Sequence, residues 1–289
     1  MKNITNLFFL VPCIIALGIG LTACGRSAEV AFHHNGELTE QVKAIFKELG
    51  VTVTSLAQAN EFAQKNLLRT GERWDKQEDN QLHTTMKEKQ TALIDDLRAL
   101  GMVDEIKPTK KEYTYALLMG ATTARVKQRL VYLASLIGAG YHFEYIVLLG
   151  GERQLREVEK EGLPETITTE AQMMAYLCAQ DEQCKDKQSL LVNAPMIQKP
   201  DGTVTRPTTD TTLQYFAEIA PHDGSCLVIS NNPYAVRQAK VTQRILDQSR
   251  FPTESAGQAL NINEVGIIMA MDEFARTIYE ENLRFAENK

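Results

Sequence analysis

Positive charge is scarce in this chain: 31 Lys and Arg stand against 37 Asp and Glu, for a net charge of −6 and a pI near 5.5. A mildly acidic protein has no broad field for holding nucleic acid, so no nucleic-acid partner is expected and any anion site must be local. Cysteine is sparse too, with five residues in 289. No Cys or His spacing matches a zinc site, and no metal is expected. Glycines never fall as GxGxxG or as a Walker loop, so no motif names a nucleotide and the cofactor stays unknown. Internal repeats and low-complexity tracts are lacking. With 44% hydrophobic and 24% charged residues, the composition is that of a globular protein and excludes disorder along the whole chain. The length suits one large domain, or an α/β domain of ~150–180 residues with a smaller helical piece.

One long apolar run is present, at the start. Lys2 is the only charge before Arg26, and Leu7 through Gly20 reads LFFLVPCIIALGIG. Leu21-Thr22-Ala23-Cys24-Gly25 follows. A basic tip, an apolar core and small residues before a cut site make a secretory signal. The tetrapeptide ending at Cys24 resembles the lipobox of bacterial lipoprotein signal peptides. That resemblance implies loss of residues 1–23, acylation of Cys24, and a membrane partner held through the lipid (palmitate-type chains). It places the protein in the cell envelope facing the periplasm. Gly25, where an Asp would retain the protein at the inner membrane, favours the outer one. A plain cleaved signal and an uncleaved anchor helix are the alternatives, although a run of about 17 apolar residues is at the short edge for a span. Cys178 and Cys184 form a close pair in LCAQDEQC. A small disulfide loop and two free thiols are both open for them. Cys226 lies inside an apolar run as a buried thiol, and His33-His34 has no assigned role.

Residues 24–36 are short and polar and read as a tether. Residues 37–105 read as a helical segment: 37–49 sets Leu38, Val42, Ile45, Phe46 and Leu49 on one face, 54–70 is a second helix and 91–100 a third. Residues 72–90 are polar and hold the only Trp, Trp74. From 106 to 289 the pattern is α/β. Four apolar runs, Tyr113–Met119, Tyr145–Leu149, Ser189–Val192 and Cys226–Ser230, alternate with helices over 124–137, 169–179, 209–219 and 234–248. Strands that are apolar throughout, alternating with helices, mean a mostly parallel sheet buried on both faces, a doubly wound Rossmann-like layer. The run VGIIMAM near residue 265 could be a further strand or a helix.

In an open parallel sheet, ligands sit beyond the carboxyl ends of the strands. Three such ends are polar here: Gly120 and Thr122 leading to Arg125 and Arg129; Gly150, Gly151 and Arg153; and Asn231 and Asn232 leading to Arg237. Small residues let backbone N–H groups approach a ligand, and the helix that follows favours an anion. Arginine binds oxyanions in a bidentate way. The expectation is a pocket for a small anionic ligand such as a phosphate ester. The bland alternative makes the glycines tight βα turns and the arginines solvated helix residues. Glu170 and Asp210 are candidate carboxylate contacts, or else first-turn acids favourable to their helix dipoles.

The order of these elements resembles the SanA/YdcF/ElyC-like family of bacterial envelope proteins, over roughly residues 113–250. The shared features are ALLMG with Arg129-Leu130, YIVLLGG, the Thr169-Glu170-Ala171 helix opening, the Thr-rich start at Thr208–Thr211, and LVISNNPYAVRQA with Arg237. The resemblance implies an envelope protein that binds or acts on a phosphorylated or nucleotide-like small molecule. Two departures stand out. Pro233-Tyr234 occupies the place where members often carry a His, and the Asn often found after the Thr-rich start is replaced near Thr212. If that His does chemistry, a member lacking it would bind without catalysing. The alternative class is a non-catalytic lipoprotein that contacts a partner through residues 37–100.

Overall fold

The computed structural model of the chain describes residues 30–69, 80–185 and 187–287. The signal segment, Cys24 and Trp74 lie outside them. A hairpin, β1 (His33–His34) with β2 (Glu37–Leu38), opens the described chain. Helices α1 (Glu40–Glu48), α2 (Leu56–Asn66), α3 (Gln81–Glu88) and α4 (Gln90–Ala99) follow. Then come β3 (Glu112–Met119), α5 (Thr123–Gly138), β4 (His142–Gly151), α6 (Glu157–Lys160), α7 (Glu170–Gln180) and β5 (Ser189–Ala194). A small hairpin of β6 (Ile197–Gln198) and β7 (Val204–Thr205) leads to α8 (Thr209–Ile219), β8 (Cys226–Asn231), α9 (Tyr234–Ile245), β9 (Thr253–Gln258), α10 (Ile262–Val265) and α11 (Ile267–Glu287).

Five strands form one parallel sheet in the order β5-β4-β3-β8-β9. The runs predicted from the sequence are buried on both faces because each residue of a strand meets a helix layer above or below. Leu118, Ile146, Leu148 and Leu227 pack on Val126, Leu130 and Leu133 of α5 and Met173 and Met174 of α7. Leu117, Val147 and Val228 pack the other way, on Leu213 and Phe216 of α8 and Val241 of α9. Each such side chain contributes about 1.5–3 kcal/mol when fully buried. The chain starts the sheet at β3, moves outward through β4 and β5, and then crosses back to β8 and β9. The switch point lies between the carboxyl ends of β3 and β8, the place where open α/β sheets hold their ligands.

Several expectations need correcting. The stretch 24–36 is not all tether: Phe32 is fully buried, and the hairpin is pinned when Thr39 N donates to Phe32 O at 3.0 Å. The helical segment before residue 105, which the sequence leaves open as a small subdomain or a cover packed on the sheet, shares a core with the end of the chain. Val42, Ile45, Phe46, Leu93 and Leu97 share one cluster with Phe274, Ala275 and Ile278 of α11, so the N-terminal helices are completed by the C-terminal one. VGIIMAM belongs to α10 and α11 rather than to a strand. The edge strand β9 was not legible because TESAGQ is polar and small. It pairs with β8 through its backbone, as an edge strand can without an apolar pattern. Helix α3, in a stretch with no clear apolar face, begins at an Asn80 cap whose side chain accepts from His83 N at 2.9 Å.

Phe274 joins the two ends of the chain, with its ring centroid 5.7 Å from that of Phe46 and 6.4 Å from that of Phe32. Phe274→Ala should cost about 3–5 kcal/mol of stability in urea unfolding. A loss below ~1 kcal/mol would mean that α11 is not what completes the helical core.

Candidate anion site at the switch point

Strand β3 delivers its chain end to Gly120. A Cβ there would lie 2.6 Å from Leu149 O and 3.1 Å from the Glu170 carboxylate, so only glycine lets β3, β4 and the start of α7 meet this closely. Helix α5 begins just beyond. Its inward face carries Val126, Arg129, Leu130, Leu133 and Leu136, so Arg129 occupies a core position of an amphipathic helix.

The Arg129 guanidinium is wholly buried and spans the switch point. Its Nη1 donates to Met119 O at 2.7 Å and Gly120 O at 3.0 Å, at the end of β3. Its Nε donates to Asn231 Oδ1 at 3.0 Å, at the end of β8. All three acceptors are neutral, and among the described residues no carboxylate lies within ion-pair distance. Burial, with Arg125 adding repulsion, pushes Arg129 down to about 9. It therefore remains charged at neutral pH, with its charge poorly compensated.

Arg125 lies one turn earlier on α5, with its guanidinium carbon 4.6 Å from the Tyr234 ring centroid. Its Nη2 reaches Met269 Sδ at 3.5 Å, and the Tyr234 hydroxyl donates to the same sulfur at 2.8 Å. Two good donors thus converge on a thioether, a weak acceptor. The buried Nη1 of Arg125 has no partner at all. The helix starts agree: α5 and α9, which leave β3 and β8, have neither a side-chain cap bond nor an acid in the first turn. Helices α7 and α8, by contrast, both carry a capping box and an acid, Glu170 or Asp210. Thr122 is the N-cap of α5, but its side chain makes no cap bond. Uncapped helix N-termini leave N–H groups and a positive dipole end to be satisfied by something else.

Glu170 belongs to this centre. Burial raises its carboxyl above the ordinary range, with Arg153 opposing. Arg153 is shared between two carboxylates. It grips Glu159 in a bidentate way at 3.0 and 3.0 Å and reaches Glu170 only at 3.3 Å. Burial pushes Glu159 upward as well, but bonds from Arg153 and Arg156 prevail and hold it low.

Other expected site residues take structural roles. Gly150 and Gly151 are packing glycines: a Cβ on Gly150 would meet Ala171 Cα at 2.8 Å, and one on Gly151 would clash with Pro207 and with Ala194 O. Asn232 turns away from the crevice, and its Nδ2 holds Gly101 O at 3.1 Å and Asp104 O at 2.7 Å. Arg153 and Arg237 are not free for an anion, since Arg237 pairs with buried Glu273 of α11. Asp210 pairs with Arg244 at 2.6 Å, ten residues and roughly 15 Å along α9 from Tyr234. Cys178 and Cys184 are two buried free thiols rather than a disulfide. They lie side by side, and the hydrogen bond between them holds Cys184 above and Cys178 below the ordinary thiol range.

Of the expected residues, the structure therefore brings together Gly120, Thr122, Arg125, Glu170 and Asn231. Arg129, Tyr234 and Met269 complete the centre. The signal for Arg129 was available, since an arginine stands on the apolar face of the helix after β3. Nothing local in the sequence marks Met269. Among the described residues no group of His, Cys, Asp or Glu could hold a metal ion. Compared with known protein families, characterised proteins and solved structures, the chain matches none.

The raised Glu170 value fixes a sign. The native state keeps a proton that the unfolded chain releases near 4.5, so this stabilisation is complete below that pH and is lost as pH rises through the folded value. Unfolding free energies of wild type and Glu170→Gln, measured from pH 4 to 8, should diverge in the variant's favour as pH rises. A flat difference would show that Glu170 titrates normally.

Proposed function

We propose that this chain is an envelope lipoprotein of the SanA-like type that binds a small oxyanion-bearing ligand, a phosphate ester or similar group, at the β3–β8 switch point. The observation that carries this reading is the Met269 sulfur receiving both Arg125 and Tyr234 while Arg125 Nη1, buried, has no partner. An oxyanion displacing the thioether would accept from Arg125 Nη1 and Nη2 and from the Tyr234 hydroxyl, and would compensate Arg129 behind them. The uncapped N-termini of α5 and α9 add to the same field. Glu170, holding its proton past the usual range, can donate to an ester oxygen. That role suits binding and is compatible with acid catalysis, the reaction being left open.

The envelope address rests on the segment before residue 30. Among the described residues no helix is long and apolar enough to cross a membrane. From Cys24 to Val30 an extended chain spans roughly 20 Å, which would keep the folded part close to the bilayer. A partner-binding role for residues 37–100 finds less support. Their apolar faces are spent on the core shared with α11, and no large exposed hydrophobic occurs among their described residues.

Inorganic phosphate should raise the melting temperature of the full chain, and Arg125→Ala should weaken its binding by ten-fold or more, the loss of a charge-assisted bond worth ~1.5–3 kcal/mol. Unchanged binding in the variant, or no shift in wild type up to tens of millimolar phosphate, would contradict the site. Separately, palmitate should label the wild type and not Cys24→Ser; a wild type left unlabelled, or labelling retained in the variant, would contradict a lipid at Cys24.

A further inference from the structure

A cavity of about 380 Å³ lies at the carboxyl ends of β4 and β5, beside the anion centre but separate from it. Its polar lining comes from Glu152, Gln154, Gln172 and Asn193, and its apolar lining includes Leu191 and Met196. Among the described residues no basic side chain lines it, so an anion is disfavoured there. Its size falls within the ~300–1,000 Å³ of small-molecule sites.

The hydrogen-bonding groups around this cavity are only partly used within the protein. Gln172 Oε1 accepts from Thr168 N at 2.9 Å, Thr168 Oγ1 at 3.2 Å and Thr169 N at 3.1 Å. That fixes the amide and leaves its Nε2 as a donor with no protein acceptor. Glu152 uses one oxygen to accept from Met196 N at 3.3 Å and keeps the other. Among the described residues the Asn193 amide, exposed on edge strand β5, makes no side-chain bond, and Gln154 makes one long one, to Glu152 O at 3.5 Å. Three amides and a carboxylate around one cavity, offering donors and acceptors, match adjacent hydroxyl groups, each of which both gives and takes a hydrogen bond. Leu191, 43% exposed, and Met196 offer an apolar surface to the C–H face of a ring.

The cavity and the anion centre share a wall. Thr169, Ala171 and Gln172 line the cavity, while Glu170 between them lies against Gly120. Arg153, between cavity residues Glu152 and Gln154, reaches Ala121 O at 3.3 Å beside the β3 corner.

We infer that this cavity is a subsite for a neutral polyhydroxyl ring, a sugar, and that the ligand is a sugar phosphate whose phosphate sits at Arg125 and Arg129. The second half rests on the anion reading, whereas the sugar subsite stands on its own. The test uses the full chain in detergent, titrated by calorimetry and by amide NMR with inorganic phosphate, glucose 1-phosphate, and the methyl glycosides of glucose, galactose, mannose and N-acetylglucosamine. At least one methyl glycoside should perturb the amides around Asn193, and glucose 1-phosphate should bind ten-fold or more tighter than phosphate. Asn193→Leu and Gln154→Leu, each checked for an unchanged melting temperature, should abolish the glycoside response and the sugar increment while leaving phosphate binding intact. Arg125→Ala should weaken phosphate and leave the glycoside response unchanged. The subsite is overturned if no glycoside perturbs the cavity, or if both leucine variants respond as wild type does. A glycoside response without phosphate binding would retain the subsite and reject the anion centre.

Discussion

A guanidinium sealed inside the protein with only neutral oxygens around it is the constraint on which the rest depends. An isolated buried cation costs several kcal/mol even after relaxation, and Arg129 recovers part of that through two carbonyls at the end of β3 and one amide oxygen at the end of β8. The bond pattern explains why Asn231 is an amide and why Arg129 takes a core position on α5. It also sews together the two strands between which the chain reverses its course. A packing role alone would be filled more cheaply by an apolar side chain. On the function proposed above, the retained charge is half of an interaction whose other half is the bound oxyanion.

The carboxylates of the neighbourhood are distributed in a way that fits. Glu159 takes Arg153 and Glu273 takes Arg237, so those two arginines serve as frame. Among the described residues Arg125 and Arg129 form no ion pair with a carboxylate; Glu170 and Glu273 act on Arg129 only from a distance, and burial pushes Glu170 toward its neutral form. Capping follows the same division. Helices α7 and α8 satisfy their own first turns, whereas α5 and α9 do not. Met269 and Tyr234 cover the centre, contributed by α11 and α9, and α11 is also what completes the N-terminal helical core. Occupancy of the centre and the packing of α11 are thereby mechanically adjacent.

The architecture was legible where burial leaves a pattern. Tyr113–Met119, Tyr145–Leu149, Ser189–Val192 and Cys226–Ser230 read as strands because both faces of a parallel sheet are covered, and each is a strand. The edge strand Thr253–Gln258 left no mark because its backbone alone makes the pairing. The site was legible only in part, for a related reason. Corners such as Gly120 and Asn231 announce themselves by following a strand, but Gly150 and Gly151 look the same and serve only to admit Ala171 and Pro207. Arginines likewise look alike in a sequence, and what separates Arg125 from Arg153 and Arg237 is a carboxylate, Glu159 or Glu273, whose approach depends on the folded chain. Asp210 followed a cap as expected of a helix acid, and its partner Arg244 was equally invisible.

The most direct measurement is a crystal structure of the chain grown with vanadate or sulfate. The account predicts a tetrahedral oxyanion held by Arg125 and Tyr234 in front of Arg129, with the Met269 side chain swung aside. A crevice in which Met269 still receives Arg125 and Tyr234, with the anion bound elsewhere or not at all, would contradict it.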